Sequence, residues 1–423
     1  MVALLNIKKI ISEKTIQIMF QPIMSTHHND FLAVEALARG FDGQKIISPI
    51  NLFFEAELEG LTWELDVLCV QKAIHDFVKL YSFNSSLILF VNISATVLSK
   101  YLSSSILLDI VESTLIPPEN IVLEINELHT DSIETMISFT KKYRSYGFLI
   151  ALDDIGAGSS NLDRILSIKP NIMKIDKELV RDIHKSFYKE QLVNTILQLA
   201  TNVGALVVIE GIETTEDLIK VSGQGAQLIQ GYLLSKPRNI EPYEIPVIKN
   251  NIQDILNILY FSTEKQRSLT SERNKEILRI SQLILERLKN SYVLEYEIII
   301  MEFIKDVNMI ESVYILDTNG YLITDTILSS YANTSNSSSL YSPCQRGDNV
   351  QLEPYYSQLM YAEYDFWITP EYISLATGNK TCTLSRKFIA RNKKIYIICI
   401  DYYNSKLLAN NQLNINNKFL TIF

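Results

Sequence analysis

The 423-residue sequence has few cysteines and few histidines. No two of the four cysteines form a CxxC pair, and no two of the five histidines form an HxxxH pair. These absences exclude a disulfide-rich secreted domain and a zinc site built from closely spaced ligands. Four thiols in a chain of this length are typical of a reduced protein of the cytosol.

Long apolar runs are also absent. The best candidates, Ile298–Met301 and Ile395–Ile400, are far shorter than the roughly 18 residues that a membrane-spanning helix needs. The segment Met1–Lys14 has neither the apolar core of a signal peptide nor a small-residue cleavage site. We therefore expect no membrane insertion and a cytoplasmic location.

There is no excess of positive charge. The chain carries 39 Lys and Arg against 48 Asp and Glu, a net charge of −9, which argues against a protein that binds nucleic acid mainly by charge. A local basic pocket for a small phosphate ligand is still compatible with this balance. Hydrophobic residues make up 47% of the chain, which excludes a largely disordered protein.

Short apolar runs recur from residue 16 to about residue 234, and the gaps between the later ones each have room for one helix. This is the spacing of a parallel βα repeat, and eight such strands predict an α/β protein with a (β/α)8 TIM-type barrel. The gap between the first two runs is too short for a helix, so we expect one antiparallel strand. The eight runs are Ile16–Phe20, Phe31–Leu37, Leu87–Asn92, Ile121–Glu124, Phe148–Asp153, Ile172–Ile175, Leu206–Glu210 and Leu228–Gln230.

The pattern changes after the barrel, and we predict domain boundaries of 1–245 for the barrel, 246–290 for a helical linker and 291–423 for an α+β domain. The linker region carries an apolar stripe that includes Ile277 and Leu285. This stripe suits a linker helix, a coiled-coil dimer seam or a helix packed on its own domain, and the spacing does not decide among them. Asp317–Gly320 between two apolar runs, Val313–Leu316 and Tyr321–Thr324, predicts a hairpin.

Polar residues stand at or near the ends of the barrel runs. In a parallel barrel these ends converge on one mouth, where active sites are built. A single carboxylate at the end of a strand could equally well be a helix cap or an active-site residue. The whole set together is hard to explain as helix caps. The set consists of Glu35, Asn92, Glu124, Asp153, Lys174, Glu210 and Gln230.

The carboxylates of this set predict a site for hard divalent cations. Carboxylate and amide oxygens suit Mg²⁺ or Mn²⁺ and do not suit zinc. Adjacent Asp153 and Asp154 would repel each other without a cation, and two metals could activate water for phosphodiester hydrolysis. Lys174 could orient that water, and Arg39, four residues after Glu35, is a candidate phosphate clamp.

Seven motifs in a fixed order resemble those of the EAL-domain cyclic-di-GMP phosphodiesterases. The resemblance covers about residues 1–245. The motifs are Val34-Glu35-Ala36-Leu37-Ala38-Arg39, Val91-Asn92-Ile93-Ser94, Leu123-Glu124-Ile125-Asn126-Glu127, the loop that begins at Asp153-Asp154, Lys174-Ile175-Asp176, Glu210-Gly211-Ile212-Glu213-Thr214, and Gln230-Gly231-Tyr232 followed by Ser235-Lys236-Pro237.

The resemblance implies a Mg²⁺- or Mn²⁺-dependent enzyme with a two-metal site that opens cyclic di-GMP to linear pGpG. Glu35, Asn92, Glu124 and Asp153 would hold one metal, and Asp153 with Asp154 would hold the second. Lys174 would contact the attacking water, and Glu210 would bind water or act as the base. Gln21, Leu37, Arg39, Asp176, Gln230 and Pro237 would line the substrate groove, with Glu127 tethering the Asp-Asp loop and Glu213 supporting Glu210.

Three positions depart from the pattern that the family usually shows. Ile155 stands where Phe is usual, Ala157 where Thr or Ser is usual, and Asn126 where Thr is usual. These positions lie in or near the loop that, in the family, couples metal binding to dimer contacts. They favour a second hypothesis, a receptor that binds cyclic di-GMP with little or no hydrolysis.

The C-terminal part resembles, less specifically, a PAS-like or Cache sensor fold. The residues concerned include the run Tyr314–Ile323, Tyr356 and the strand pair that ends at Tyr402. The resemblance implies a sensor-like domain that modulates the barrel and takes an unknown small molecule; a dimerisation or packing module is the alternative. We expect a homodimer, because the family's Asp-Asp loop communicates with a subunit interface and the helix near residues 272–290 offers a second surface.

Overall fold

The computed structural model describes residues 6–42, 45–126, 132–156, 162–334, 341–362 and 364–403. The side chains of Asp42, Lys45 and Asn126 lie outside this description. The chain divides into two units, Met1–Lys265 and Gln266–Phe423, and the division falls within one long helix.

The first unit is built on a closed ring of eight strands with one added hairpin strand. Its strands are β1 (Ile16–Ser25), β2 (Asp30–Asp42), β3 (Lys45–Ile47), β4 (Ile88–Ile93), β5 (Ile121–Asn126), β6 (Leu149–Ile155), β7 (Ile172–Ile175), β8 (Leu206–Ile209) and β9 (Leu228–Ile229). The order around the ring is β1-β2-β4-β5-β6-β7-β8-β9, and β9 pairs with β1 to close it. Strand β1 is antiparallel to both neighbours, and the other ring pairs are parallel.

Helices follow most of these strands, as the repeat predicts. They are α1 (Ile7–Glu13), α2 (Pro49–Leu58), α3 (Thr62–Phe83), α4 (Leu98–Ser103), α5 (Ile106–Glu112), α6 (Ile133–Ser145), α7 (Leu162–Ile168), α8 (Lys177–Val180), α9 (Phe187–Val203), α10 (Thr215–Gly223) and α11 (Ile245–Leu288). Several begin at a hydroxyl cap; Ser186 accepts from the Lys189 amide at α9, and Thr214 from the Asp217 amide at α10. The predicted barrel with one antiparallel strand is therefore confirmed, while β3 was not predicted.

The interior of the ring is filled with apolar side chains. They form a layer beneath the mouth of the barrel, which we call its floor. One buried residue from each ring strand contributes to this interior layer, and large Phe90 is balanced by small Ala33 and Ala151. The interior layer consists of Ile23, Ala33, Phe90, Val122, Ala151, Ile172, Val208 and Leu228. A second, larger core fills the space between the strands and the helices.

The second unit is an antiparallel sheet packed with helices. Its elements are β10 (Ile310–Asp317), β11 (Ile327–Leu328), β12 (Phe366–Ile368), β13 (Tyr372–Ile373), β14 (Lys380–Ile389), β15 (Ile395–Tyr402), α12 (Tyr296–Ile304) and α13 (Pro354–Tyr361), together with the end of α11. The strand order is β11-β10-β15-β14-β12, and β13 pairs with β14. Four stripe residues are buried in the core of this unit: Ile277, Ile284, Leu285 and Leu288. Of the three alternatives for the stripe, this is a helix packed on its own domain.

The predicted hairpin at Asp317–Gly320 forms its turn but only half of its ladder. Gly320 has φ +79°, and the Gly320 amide donates to the Asp317 carbonyl. The second predicted strand, Tyr321–Thr324, is reduced to isolated bridges. The Ile315 amide donates to the Thr324 hydroxyl at 3.0 Å, so a side chain replaces a backbone carbonyl of the ladder.

Of the helices in the described residues, none combines the length and the apolar character that crossing a membrane would require.

Candidate functional site

Eight polar side chains form one layer at the mouth of the barrel, one from each ring strand or its end. Each lies two positions from a member of the apolar interior layer, and residues two apart on a strand share a face. The alternation that fills the barrel therefore also directs the polar groups into its mouth. This mouth layer consists of Gln21, Glu35, Asn92, Glu124, Asp153, Lys174, Glu210 and Gln230.

Lys174 is the centre of the mouth layer. It is only 1% exposed, and its Nζ lies 2.6 Å from Glu210 Oε1 and 2.9 Å from Glu124 Oε1. The same Nζ lies 3.3 Å from Asp153 Oδ1 and 3.4 Å from Glu35 Oε2. One ammonium thus faces four carboxylates in a buried setting, and these five charged groups alone carry a negative net charge.

Two neutral side-chain amides also donate hydrogen bonds to the Glu35 carboxylate. Asn92 Nδ2 donates to Glu35 Oε1 at 3.0 Å, and Gln230 Nε2 donates to Glu35 Oε2 at 2.7 Å. Gln230 Nε2 also lies 3.1 Å from Gln21 Oε1, and Gln21 Nε2 donates to the Ser235 carbonyl at 3.1 Å. This network ties β1, β2, β4 and the segment after β9 together around one carboxylate.

The pKa values of the carboxylates diverge across the mouth layer. Burial raises the pKa of Glu124 well above its ordinary value, and the charge of Glu35 raises it further. Burial also acts to raise the pKa of Glu35, but the charge of Lys174 and the amide donors outweigh it, so that the pKa is lowered. Burial raises the pKa of Glu210 to about 8.

The pKa of Lys174 moves in the opposite direction to that expected for a buried lysine. Burial alone would lower it, but the surrounding carboxylates, with Asp153 and Glu124 foremost, raise it well above the ordinary value. Lys174 therefore keeps its proton at neutral pH.

Two observations identify places where this layer could hold cations. Glu124 Oε2 is buried and has no hydrogen-bond partner among the described residues. Oxygen atoms of Asp153, Asp154 and Glu210 all lie within 4.8 Å of one another. A buried carboxylate oxygen without a donor is costly, and a hard cation is one group that would satisfy it.

A break in strand β6 explains how two consecutive aspartates face one site. Asp154 has φ +56°, in the left-handed region, and the pairing of β6 with β7 shifts register between Leu152 and Ile155. Without this irregularity Asp153 and Asp154 would point to opposite faces. Gly156 follows with φ +100°, and a Cβ there would lie 2.1 Å from Leu179 Cδ1, so the turn needs a glycine.

Four further predicted residues, Leu37, Arg39, Asp176 and Pro237, are buried or half-buried. Leu37, Arg39 and Pro237 are half-buried, and Arg39 donates to the Ala38 carbonyl at 2.8 Å. Asp176 is buried and caps α8, accepting from the Glu178 amide at 2.7 Å.

Two predicted positioning residues stay predictions. Glu213 is exposed, and in the described part of the chain no hydrogen bond joins it to Glu210. Glu127 and Ala157 lie outside the described residues.

Sequence reasoning missed Asp66, which supports the mouth from a helix. Asp66 on α3 is 1% exposed; it accepts from the Ser94 amide at 2.9 Å and from the Tyr101 hydroxyl at 2.6 Å. It thereby fixes the chain two residues after Asn92. A lone aspartate within a helix gives no signal of this role, because its partners are distant in the sequence.

A family model described as the EAL domain matches residues 5–237. The EAL-domain containing protein YkuI of Bacillus subtilis is 26% identical over 344 residues, which cover 80% of this chain and 82% of YkuI. The cyclic di-GMP phosphodiesterase PdeA of Borreliella burgdorferi is 28% identical over 239 residues, 52% of this chain and 36% of PdeA. The chain thus spans about a third of the length of PdeA.

The fold is similar to a solved structure along nearly the whole chain. The crystal structure of YkuI in complex with substrate c-di-GMP and calcium has a TM-score of 0.79 at 23% identity, covering 96% of this chain and 99% of that one. This likeness confirms the predicted barrel and the separate C-terminal sheet. Since the family model runs through every motif of the mouth layer and covers more than half of the sequence, the chain belongs to the EAL domain family.

Proposed function

We propose that the chain is a metal-dependent phosphodiesterase that hydrolyses cyclic di-GMP to linear pGpG. The observation that carries the proposal is the buried Lys174 ammonium among four carboxylates of the barrel mouth. Membership of the EAL domain family supports it, as do the name of PdeA as a cyclic di-GMP phosphodiesterase and the c-di-GMP complex of YkuI.

The oxygen donors of the mouth layer fit Mg²⁺ or Mn²⁺. Glu35, Asn92, Glu124 and Asp153 would hold one cation, and Asp153 with Asp154 would hold a second, with Glu210 in reach of both aspartates. The unpartnered Glu124 Oε2 is the group that most needs such a ligand. When bound, the cations would make water more acidic and offset charge on the reacting phosphate.

The residues of the chain itself would orient water and move its proton. Lys174, which keeps its proton, would donate a hydrogen bond to the attacking water or to the developing negative charge. Glu210 is the candidate general base, because its carboxylate lies 2.6 Å from Lys174 Nζ and within 4.8 Å of oxygen atoms of Asp153 and Asp154, where the attacking water would be held. Its Oε1, beside Lys174 Nζ, would take the proton of the water as the water oxygen attacks phosphorus. The ester P–O bond would break, and the leaving ester oxygen would take up a proton from solvent.

Substrate binding would use the side chains around the mouth. Arg39 is the candidate clamp for a phosphate, since its guanidinium presents several donors in one plane. Gln21 and Gln230 would contribute amide groups, and Leu37, Asp176 and Pro237 would shape the groove. Each assignment predicts a higher KM on substitution, and Arg39→Ala is the most informative because it removes a charge.

Turnover of cyclic di-GMP by the purified full chain tests the proposal. With Mg²⁺ or Mn²⁺ we expect pGpG, detected by chromatography, and Glu35→Gln should abolish it. Glu57→Gln is the matched control, because Glu57 is exposed on α2. Absence of pGpG with either metal would overturn the enzymatic assignment.

A receptor with little or no hydrolysis is the second candidate. The observation that favours it is Ile155, which is buried in β6 beside the two aspartates where the family usually has Phe. Calorimetry that shows tight binding of cyclic di-GMP by a chain without turnover would support the receptor and exclude the enzyme.

We further propose a cytoplasmic homodimer whose activity the C-terminal unit modulates. All four cysteines are free, which suits a reducing compartment. Ile277, Ile284, Leu285 and Leu288 of the α11 stripe are buried in the second unit, so these side chains are not available for a dimer contact. Light scattering that gives a monomer mass at micromolar concentration would refute the dimer.

A further inference from the structure

The C-terminal unit contains a cavity of about 60 Å³ beside strands β10 and β15. Three tyrosines and one aspartate, Tyr314, Tyr355, Tyr372 and Asp401, provide its most distinctive side chains. Since roughly 15 Å³ of such space admits one water molecule, the cavity suits a ligand of about four or five non-hydrogen atoms.

Asp401 is deeply buried and is held by neutral hydroxyl groups. It is 2% exposed; its Oδ2 accepts from Ser312 Oγ at 2.6 Å and its Oδ1 accepts from Thr383 Oγ1 at 2.6 Å. Because Thr383 uses its proton in this bond, the Tyr372 hydroxyl, 2.6 Å away, donates to Thr383. Each carboxylate oxygen keeps a second lone pair for another donor.

The cavity has no positive side chain to balance Asp401. No lysine, arginine or histidine of the described residues lines it, whereas Glu353 does, and Glu311 is near enough to repel Asp401. Burial is the main reason that the pKa of Asp401 rises to about 7, and the hydroxyl donors oppose this rise. The hydrogen-bond partners of Asp401 are the neutral hydroxyls of Ser312 and Thr383, and a cationic ligand would supply the charged partner that a buried carboxylate needs when it is ionised.

The walls of the cavity suit a cation that also has apolar surface. The rings of Tyr314 and Tyr355 stand 5.9 Å apart between centroids at an interplanar angle of 72°. Aromatic faces attract ammonium groups and pack against methylene groups. A hard metal ion would instead need several oxygen ligands converging on one point, and in the described part of the chain the carboxylates of this cavity, Glu353 and Asp401, belong to no group of three or more possible metal ligands.

We propose that this cavity binds a small organic ammonium ion without a carboxylate, with its nitrogen against the free lone pairs of Asp401. An amino acid is excluded because no cationic side chain among the described residues would receive its carboxylate. The size limits the ligand to a short alkylamine or aminoalcohol. Binding here does not depend on the proposed phosphodiesterase activity, so the two proposals can fail separately.

Calorimetry on the full chain with propylammonium chloride tests the proposal. We expect saturable binding at millimolar concentration or below. Propan-1-ol, which has the same shape without charge, and alanine, which adds a carboxylate, should bind at least about tenfold more weakly.

Two variants locate the site. Asp401→Asn keeps the shape but removes the charge; one hydroxyl still donates to the amide oxygen, and the other must turn to accept from the amide nitrogen. This substitution should weaken propylammonium binding by roughly thirtyfold or more. Ala376→Leu fills part of the cavity and should abolish propylammonium binding, while the carboxylate of Asp401 stays in place. Glu302→Gln on the exposed face of α12 is the control and should bind as the wild type does.

Three results would overturn the proposal. They are no binding of propylammonium to a folded wild type, equal binding to wild type and Asp401→Asn, or propan-1-ol binding as tightly as the amine. Circular dichroism of each variant establishes that it is folded. If Asp401→Asn does not fold, Ala376→Leu decides, because retained binding in that variant places the amine elsewhere.

Discussion

Lys174 Nζ lies 2.6 Å from Glu210 Oε1, which makes this the shortest of the four ion pairs of the buried lysine. The pair joins a cation that keeps its proton to a carboxylate whose pKa burial raises to about 8. Burial and the charge of Lys174 act on the pKa of Glu210 in opposite directions, and burial is the larger of the two effects. Neither group is independent of the other, since removal of the ammonium would leave several buried negative charges unbalanced.

Lys174→Met should abolish turnover and reduce stability in the absence of divalent cations. We expect a loss in kcat of about a hundredfold or more and a fall in unfolding free energy of about 3 kcal/mol, because the carboxylates lose their cation. Steady-state kinetics and urea unfolding in chelator measure the two effects. Lys79→Met, on the exposed face of α3, is the control; an equal effect of both variants would contradict the prediction.

Divalent cations should stabilise the folded chain. Mn²⁺ at about a hundred times its Kd should add roughly 2.7 kcal/mol to the unfolding free energy, because it binds the folded mouth layer and not the unfolded chain. Differential scanning calorimetry with chelator or Mn²⁺ measures this as a shift in Tm. Glu124→Gln, which removes the unpartnered oxygen's charge, should reduce the shift, and an undiminished shift would remove Glu124 from the ligand set.

Because of Asp66, the free energy of unfolding should fall as the pH rises from about 4 to about 6. Burial raises the pKa of Asp66 from 3.8 to about 6, so between these values the folded chain binds more protons than the unfolded chain. Its contribution is complete below about pH 4 and is lost by about pH 6, a change of about 3 kcal/mol. The difference between wild type and Asp66→Asn in urea unfolding from pH 4 to pH 7 isolates this contribution. Asp76→Asn, exposed on α3, should leave the pH profile unchanged.

Gly231→Ala should destabilise the chain and disturb Gln230. A Cβ at this position would lie 2.0 Å from the Ile212 carbonyl oxygen and 2.4 Å from the Ile212 backbone nitrogen. Backbone atoms cannot move aside without a large cost in free energy. We expect a cost above about 2 kcal/mol and a fall in kcat/KM, measured by thermal unfolding and turnover. Gly204→Ala, which has open space but φ +77°, should cost about 1 kcal/mol and leave activity unchanged; a cost equal to that of Gly231→Ala would contradict the steric reason.

The barrel and most of its mouth layer were predictable because strand geometry repeats every two residues. Once the apolar runs were recognised, their polar ends had to converge, and the structure brings Glu35, Glu124, Asp153 and Glu210 to one lysine. The neighbourhood of Asp153 and Asp154 was expected from chemistry, whereas the left-handed φ of Asp154 that makes it possible has no sequence signature in an aspartate.

What escaped prediction depends on contacts between distant segments. Asp66 acts through Ser94, 28 residues away, and nothing local to α3 distinguishes it from a surface aspartate. The strand at Tyr321–Thr324 fails because the Thr324 hydroxyl occupies the place of a ladder carbonyl. Residues 127–131 and 157–161, which include the predicted tether Glu127, lie outside the described part of the chain.

The two stacked layers of the barrel make its chemistry sensitive to the length of each strand. Ile172 in the floor and Lys174 in the mouth are separated by a single outward-facing residue, Met173. Inserting one amino acid between Ile172 and Lys174 would turn the ammonium toward the surrounding helices and bring Met173 or the insert into the ring of acids. A substitution at one position of the mouth therefore leaves the direction of the other side chains unchanged, whereas an insertion or deletion within a strand reverses the direction of every side chain that follows in that strand.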